Sequence, residues 1–284
     1  MQRFLYTSLS FYHIFYPENR VTNIDLMRVL SFNVLSDEYI EFDNATFLNR
    51  WYPNIAPESL RLKNRIVTLI ETIKYMDADV VCLQEAVIKL RLVFVKFFPD
   101  YYISPLARHQ FGEKKSGNLI MLRKSAFDAS SVVEQMSDLG KGYYQITVLA
   151  KPIKGGKILS KPIAITSVHF SDTAAKYKQA VNMAELLSVY KGKVIIAGDF
   201  NTNHEKLHRN FTSGGFKSGI HANTKHRGTY LCEKPMIDYI YVKGFKKIIS
   251  NVYNEPTKCT AATCYISTIK KYGTDHYPIY ATII

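Results

Sequence analysis

The chain has 284 residues, of which 47% are hydrophobic, and this content excludes a disordered protein and allows a sizeable core. The 37 Lys and Arg against 24 Asp and Glu give a formal charge of +13, which favours polyanionic partners such as nucleic acid. A lysine-rich solvated surface would give the same count. No apolar run approaches the roughly 20 residues that a membrane-spanning helix needs, so we expect no membrane segment.

Short runs of β-branched and apolar residues recur along the chain, and each ends abruptly at a polar residue. Such runs predict strands, and their continuous apolar character predicts burial on both faces. Apolar residues at helical spacing between them predict helices. In chain order the predicted elements are strand 28–32, helix 59–75, strand 78–83, helix 87–97, strand 163–168, helix 173–190, strand 193–197, strand 236–242 and strand 277–284.

This order of elements predicts an α/β fold of the four-layer type, in which two mixed β-sheets pack face to face with helices on the outside. No repeat or low-complexity linker divides the chain, so we expect a single domain at 27–284. Residues 1–26 are too aromatic for a signal peptide, and we expect an N-terminal extension there. Organelle targeting by this extension is the less favoured alternative.

The cysteine pattern predicts an intracellular protein in a reducing compartment, the cytoplasm or the nucleus. Cys82 lies inside an apolar run, as a buried reduced residue would. Cys259 and Cys264 have no second pair at metal-ligand spacing, and Cys232 is isolated, so neither a zinc site nor a disulfide framework is expected.

The segment Gly198-Asp199-Phe200-Asn201 follows a buried strand and carries a carboxylate and a carboxamide two residues apart. At this spacing both side chains can point to the same side. Phosphodiester hydrolysis needs a base to activate water and a neutral donor for a phosphoryl oxygen, and Asp199 and Asn201 are candidates for these roles. A strand-end turn would favour the same residue types for structural reasons.

Glu85 ends the buried run that includes Cys82, and a buried carboxylate is costly unless it is paired or binds a cation. Ligation by one or two carboxylates with water is what Mg²⁺ accepts. Asp275, ahead of the last strand, is a second candidate for the metal, and Asn33, after the first strand, is a third.

Two histidines, His169 and His276, stand at the ends of predicted strands. His169 is a candidate to protonate a leaving oxygen or to stabilise transition-state charge. His276 needs a carboxylate to orient its imidazole, and Asp238, on a buried strand, needs a partner. A buried pair of Asp238 and His276 satisfies both requirements.

Together and in this order, these segments resemble the endonuclease/exonuclease/phosphatase (DNase I-like) superfamily over residues 28–284. The resemblance implies a metal-dependent phosphodiesterase or nuclease, a hydrolase that uses Mg²⁺, with Mn²⁺ as a substitute. It also implies a role for each motif residue. These are metal binding by Glu85, Asn33 and Asp275, water activation by Asp199, and phosphate binding by Asn201, His169 and His276, with Asp238 supporting His276.

The opening of the chain is similar to carbon-catabolite-repressor-type deadenylases, nocturnin and Angel proteins. The similarity rests on residues 29–36, on Trp51-Tyr52 and on Arg65. The stretch from Ser116 to Leu119 departs from the Asp-Gly-Cys-Ala-like sequence of that group, and residues 117–125 resemble tyrosyl-DNA phosphodiesterases as closely.

The favoured function is therefore a 3′-exoribonuclease or deadenylase-like enzyme with nucleic acid, RNA first, as its partner. A DNA-repair phosphodiesterase, an inositol-phosphate or sphingomyelin phosphohydrolase, and an inactive nucleic-acid-binding homologue are the alternatives. We expect basic pairs to track phosphates and some aromatics to stack bases, unless these residues are ordinary surface and core. The candidates are Lys114-Lys115, Arg123-Lys124, Lys246-Lys247 and Lys270-Lys271 for phosphates, and Phe170, Phe200 and Tyr230 for bases.

Overall fold

The computed structural model describes residues 26–110, 115–219, 229, 236–252 and 268–284. The predicted extension up to residue 25 lies outside them, as do Lys114, Tyr230, Cys232, Cys259 and Cys264. Two mixed β-sheets pack face to face with helices on their outer faces, so the predicted α/β sandwich is confirmed. None of the helices in the described ranges is long and apolar enough to span a membrane.

The described helices and strands follow one another in a mixed α/β order. The helices are α1 (Ala45–Trp51), α2 (Pro57–Leu60), α3 (Leu62–Met76), α4 (Ile88–Phe97), α5 (Ala175–Ser188) and α6 (Glu205–Thr212), with a 3-10 helix at Asp37–Tyr39. The strands are β1 (Met27–Asn33), β2 (Val80–Ala86), β3 (Tyr101–Ile103), β4 (Ala107–Arg108), β5 (Gly117–Arg123), β6 (Phe127–Asp138), β7 (Tyr144–Lys154), β8 (Lys157–Ile158), β9 (Ile163–His169), β10 (Val194–Asp199), β11 (Lys217–Ser218), β12 (Asp238–Lys243), β13 (Ile248–Val252) and β14 (Ile279–Ile283).

The two sheets share one plan. The first has the order β13-β14-β1-β2-β5-β3 with β4 beside β5, and the second has the order β11-β12-β10-β9-β7-β6 with β8 beside β7. Each is built on a parallel pair, β1 with β2 and β9 with β10, flanked by antiparallel strands. Because parallel strands end at the same edge, the polar residues that follow them gather at one rim.

Two apolar clusters hold these layers together. One lies between the sheets, where Val29 and Cys82 meet Ile165 and Ile196, and extends to helices α5 and α6. The other lies beneath α3 and α4 on the outer face of the first sheet and includes Leu30. Burial of the strand faces on both sides explains why their sequences are continuously apolar.

Several predicted boundaries differ from the structure for local reasons. The single helix predicted at 59–75 is two helices, because Arg61 has an extended ψ of 134°. The last strand begins at Ile279 because Pro278 has no N–H to give to a ladder. The predictions missed α1, α6, the long β6–β7 hairpin, whose outer strand is largely exposed, and the strands β3, β4, β5, β8, β11 and β13. The omission of β5 has no such reason, because this strand is buried and contains an apolar run.

Candidate functional site

The site forms around the end of β10. The strand register places Asp199 opposite His169 on β9 and opposite Asp238 on β12, so three predicted residues lie in one row across neighbouring strands. Gly198 permits this arrangement, because a Cβ there would overlap the carbonyl group of Val168. Gly198 therefore allows β9 and β10 to approach closely, and Asp199, which follows it, contributes its carboxylate to the site.

Asp199 is the centre of the polar contacts, with only 2% of its surface exposed. Its Oδ2 accepts a hydrogen bond from Asn33 Nδ2 at 3.1 Å and lies 3.8 Å from Nε2 of both His169 and His276. Its Oδ1 accepts from the backbone N–H of Asn201 at 2.8 Å. Burial, and then the charge of Asp238, raise the pKa of Asp199 above its usual range.

His276 and Asp238 form the buried pair that the sequence predicted, with Nδ1 of the imidazole 2.9 Å from Oδ2 of the carboxylate. Burial lowers the pKa of His276, but the neighbouring carboxylates, Asp238 above all, outweigh it and raise the pKa to about 10. The ring is therefore an imidazolium near neutral pH. Its Nε2 lies 3.8 Å from Oδ2 of Asp199.

His169 is electrostatically different from His276. Burial, reinforced by the charges of His109 and His276, lowers the pKa of His169 well below its usual value, so this imidazole is neutral. Its Nε2 lies 4.0 Å from Glu85 Oε1 and 3.8 Å from Asp199 Oδ2. The site therefore holds one charged and one neutral imidazole, both with Nε2 directed at Asp199.

Glu85 reaches the site through a break in strand alternation. The register between β2 and β5 shifts after Leu83, and Glu85 has a left-handed φ of 58°. Its Oε1 accepts from Asn33 Nδ2 at 2.9 Å, and its Oε2 accepts from Ser36 N–H at 2.8 Å. Burial, and then the charge of Asp275, raise the pKa of Glu85 to about 7. Strain at this position is consistent with a functional role for the carboxylate.

Asn33 and Asp275 complete this end of the site. The amide nitrogen of Asn33 faces Glu85 and Asp199, while its Oδ1 accepts from the Leu35 N–H at 3.1 Å. Asp275, 3% exposed, accepts a hydrogen bond from the Tyr52 hydroxyl at 3.2 Å. Glu85 and Asp275 thus offer buried oxygen donors that suit a hard divalent cation, and a cation would relieve the repulsion that raises the pKa of Glu85.

Asn201 has an unusual backbone, with a left-handed φ of 51° that Asn tolerates better than most residues. Its side-chain nitrogen donates to the Phe170 carbonyl at 2.7 Å, and Lys176 Nζ donates to the Asn201 carbonyl at 2.8 Å. The second amide hydrogen of Asn201 has no partner among the residues that the structure describes, and it is the one we consider for a ligand. No sequence pattern selects Lys176, because its contact with Asn201 depends on helix α5 packing beside the turn after β10.

Arg65 is a further residue whose role the sequence did not reveal. Its side chain is 1% exposed and lies beneath the site. It donates hydrogen bonds to the carbonyl groups of Val34 at 3.0 Å, Leu35 at 2.6 Å and Gly273 at 2.6 Å. Arg65 thus ties the segment after Asn33 to the segment before Asp275. An arginine inside the apolar stripe of a predicted helix was the available signal.

The structure contradicts several of the predicted nucleic-acid contacts. Phe170 and Phe200 are fully buried and pack edge to face with ring centroids 5.1 Å apart, so they belong to the core and cannot stack a base. Arg123 forms ion pairs with Asp77 and Asp79 instead of standing free for phosphate. Aromatic residues that the sequence did not single out for stacking line the site instead.

These groups surround one open cavity of about 500 Å³. Its lining combines the polar site residues with several aromatic side chains, of which Tyr39 and Tyr143 pack edge to face with His169. The residues that line it are Leu35, Tyr39, Phe47, Trp51, Tyr52, Glu85, Tyr143, His169, Asp172, Asp199, Asn201, Ile237, Asp275 and His276.

The family of the chain follows from comparison with known proteins. The sequence model described as the endonuclease/exonuclease/phosphatase family matches residues 30–276, and the chain belongs to this family, whose members hydrolyse phosphoester bonds. A comparison with curated protein sequences finds no match.

Solved structures share the fold at low sequence identity. ANGEL2, a 2′,3′-cyclic phosphatase in complex with adenosine-2′,3′-vanadate, is 16% identical, with a TM-score of 0.68 over 91% of this chain and 95% of that one. Truncated Caenorhabditis elegans TDP2 is 18% identical, with a TM-score of 0.58 over 91% and 97%. The Bacteroides thetaiotaomicron mannosyl-6-phosphatase Bt3783 is 16% identical, with a TM-score of 0.60 over 91% and 99%. At these identities the likeness concerns the fold alone.

Proposed function

We propose that the chain is a Mg²⁺-dependent phosphodiesterase that cleaves RNA, as a 3′-exoribonuclease or deadenylase-like enzyme. The observation that carries this proposal is the convergence on Asp199 of a charged imidazole, a neutral imidazole and an amide. Phosphodiester hydrolysis needs a base for water and donors for the phosphoryl oxygens within one small space.

Asp199 is the group that orients the attacking water and accepts its proton. Its raised pKa brings its basicity closer to that which neutral-pH catalysis requires, and Asn33 and the Asn201 N–H hold its two oxygens in place. A carboxylate fixed from both sides needs no reorganisation during the reaction.

His276, His169 and Asn201 are the groups that bind the scissile phosphate. The imidazolium of His276 presents Nε2–H because Asp238 occupies its Nδ1. The neutral His169 is suited to donate one hydrogen bond to a phosphoryl oxygen, but its lowered pKa makes it unsuited to protonate the leaving oxygen, the other role that the sequence suggested. Asn201 contributes its remaining amide hydrogen. Loss of one such donor typically costs about 100- to 1000-fold in rate.

Glu85 and Asp275 would hold the metal ion, with Asn33 at its edge. Bound there, Mg²⁺ would neutralise phosphate charge and act as a Lewis acid. Asp199, Asp238 and His276 also bring ligand atoms within 4.8 Å of one another. We assign these three residues to proton transfer and phosphate binding and not to metal binding. The hydrogen bond between Asp238 and His276 already uses one potential ligand atom of each residue.

Three observations support RNA as the substrate. The chain carries a formal charge of +13, several aromatic residues line its open cavity of about 500 Å³, and its opening motif resembles deadenylases. ANGEL2, which shares the fold, is a 2′,3′-cyclic phosphatase that binds an adenosine derivative. A cyclic phosphate at an RNA end is itself a phosphodiester, so it is the second candidate substrate.

The test is turnover of a substrate panel with Mg²⁺ and with EDTA, using Asp199→Asn as the inactive control. The panel contains oligo(A) RNA, adenosine 2′,3′-cyclic phosphate, 2′–5′ oligoadenylate, structured DNA, a 5′-tyrosyl DNA and an inositol polyphosphate. We expect RNA to be cleaved fastest, from its 3′ end. If the tyrosyl DNA or the inositol phosphate is turned over faster than RNA, that compound is the substrate and the RNA proposal is wrong. If no compound of the panel is turned over, the proposed activity is refuted.

A further inference from the structure

Helix α1 forms an aromatic wall of the cavity that also holds the catalytic groups. We define this wall as Phe47 and Trp51, which are four residues apart and therefore lie on one side of the helix. Both are half-buried and both line the cavity, with ring centroids 6.5 Å apart and planes inclined at 47°. Leu48, on the inner side of α1, is buried and anchors the helix in a small apolar cluster.

The wall lies close to the groups that act on phosphate. The ring of Phe47 is 6.5 Å from that of Tyr52, and the Tyr52 hydroxyl donates to Asp275 at 3.2 Å. Asp275 immediately precedes His276. Tyr52 therefore connects the aromatic wall to the carboxylate of Asp275, and the wall lines the same cavity as the phosphate-binding residues His169, Asn201 and His276.

A positive charge accompanies the wall. The guanidinium of Arg50, an exposed residue of the same helix, stands 5.3 Å from the centroid of the Trp51 ring. Aromatic rings beside a cationic side chain are the combination by which proteins bind single-stranded nucleic acid, since every base has a π-face to stack. A nucleobase presents a full π-face to such a wall, whereas a sugar phosphate or an inositol phosphate presents only the C–H groups of its ring.

We propose that Phe47 and Trp51 form a base-binding subsite that stacks the nucleobase adjoining the scissile phosphate. The substrate class is then a nucleotide or an unpaired nucleic-acid end. This inference rests on the proposed function for the position of the phosphate. Stacking on an aromatic ring contributes roughly 5- to 100-fold in affinity per base, so removing one ring should raise KM by about that factor.

The chain offers a direct test, because Trp51 is its single tryptophan. Its emission, excited where adenine does not absorb, is titrated with AMP and with ribose 5-phosphate, which has the same phosphate and sugar without the base. We expect saturable quenching by AMP and none by ribose 5-phosphate at equal concentration. Phe47→Leu should weaken AMP binding by at least about 5-fold. Phe97→Leu, on the exposed face of α4, is the matched control and should leave the titration unchanged.

Equal quenching by the two ligands, no quenching by either, or AMP binding unaffected by Phe47→Leu would each overturn the subsite. Turnover separates this failure from failure of the proposed function. If the subsite is correct, Phe47→Leu raises KM for oligo(A) but not for an oligonucleotide whose terminal residue lacks its base. If wild type cleaves neither oligonucleotide while AMP still quenches Trp51, the base subsite stands and the proposed activity does not.

Discussion

The Nδ1 atom of His276 lies 2.9 Å from Oδ2 of Asp238, and both residues are almost fully buried. This contact decides which ring nitrogen of His276 faces Asp199. Asp238→Asn keeps the shape but removes the charge that orients the imidazole, and His276→Ala removes the phosphate contact. We expect each to lower kcat by about 100-fold or more.

Because the two residues act as a unit, the double variant should be scarcely worse than His276→Ala alone. The measurement is kcat for the four proteins of this cycle, with thermal unfolding to show that each is folded. If the loss of kcat in the double variant equals the product of the losses in the two single variants, the pairing is refuted. Asp238 would then have to be reassigned to the metal or to the attacking water.

The buried guanidinium of Arg65 should support the site from below. Arg65→Lys keeps the charge but cannot reach the carbonyl groups of Val34, Leu35 and Gly273 together. We expect the free energy of unfolding to fall by about 3 kcal/mol, because buried carbonyl groups lose their donors. Urea unfolding measures this, and Arg209→Lys, at an exposed ion pair, is the control. An equal loss of stability in the two variants would contradict the proposed role of the Arg65 hydrogen bonds.

Binding of RNA should weaken steeply with salt if the basic surface contacts phosphates. A chain that neutralises four phosphates of a single strand should lose about 50-fold in affinity between about 50 and 200 mM salt. The measurement uses the Asp199→Asn variant, so that the RNA is not cleaved. An affinity that hardly changes would mean that the +13 charge is ordinary surface solvation.

Residues 1–26 should be dispensable for chemistry, because the motif residues begin at Asn33. A chain starting at Met27 should retain kcat and KM within about two-fold of the full chain. The comparison uses a short oligonucleotide and both proteins at the same metal concentration. Loss of turnover in a shortened chain that still folds would show that the extension takes part in the site.

The sequence predicted the strands that carry the site, because each is buried on both faces and ends at a polar residue. Its assignment of Glu85 as a strand-end residue was incomplete: strand β2 continues to Ala86, and a bulge with a φ of 58° directs the carboxylate. Arg65 has a role that depends on three carbonyl groups remote in sequence, and no local pattern reveals such contacts. The same holds for Phe47, whose place in the cavity follows from the position of α1.

The most direct test of the account is hydrolysis of labelled oligo(A) after exhaustive removal of metal. We expect EDTA to abolish cleavage and added Mg²⁺ or Mn²⁺ to restore it, because Glu85 and Asp275 offer hard oxygen ligands. Glu85→Gln should require far more Mg²⁺ for the same rate, whereas Glu71→Gln, on the exposed face of α3, should behave as wild type. Full turnover by the metal-free protein would contradict the central claim.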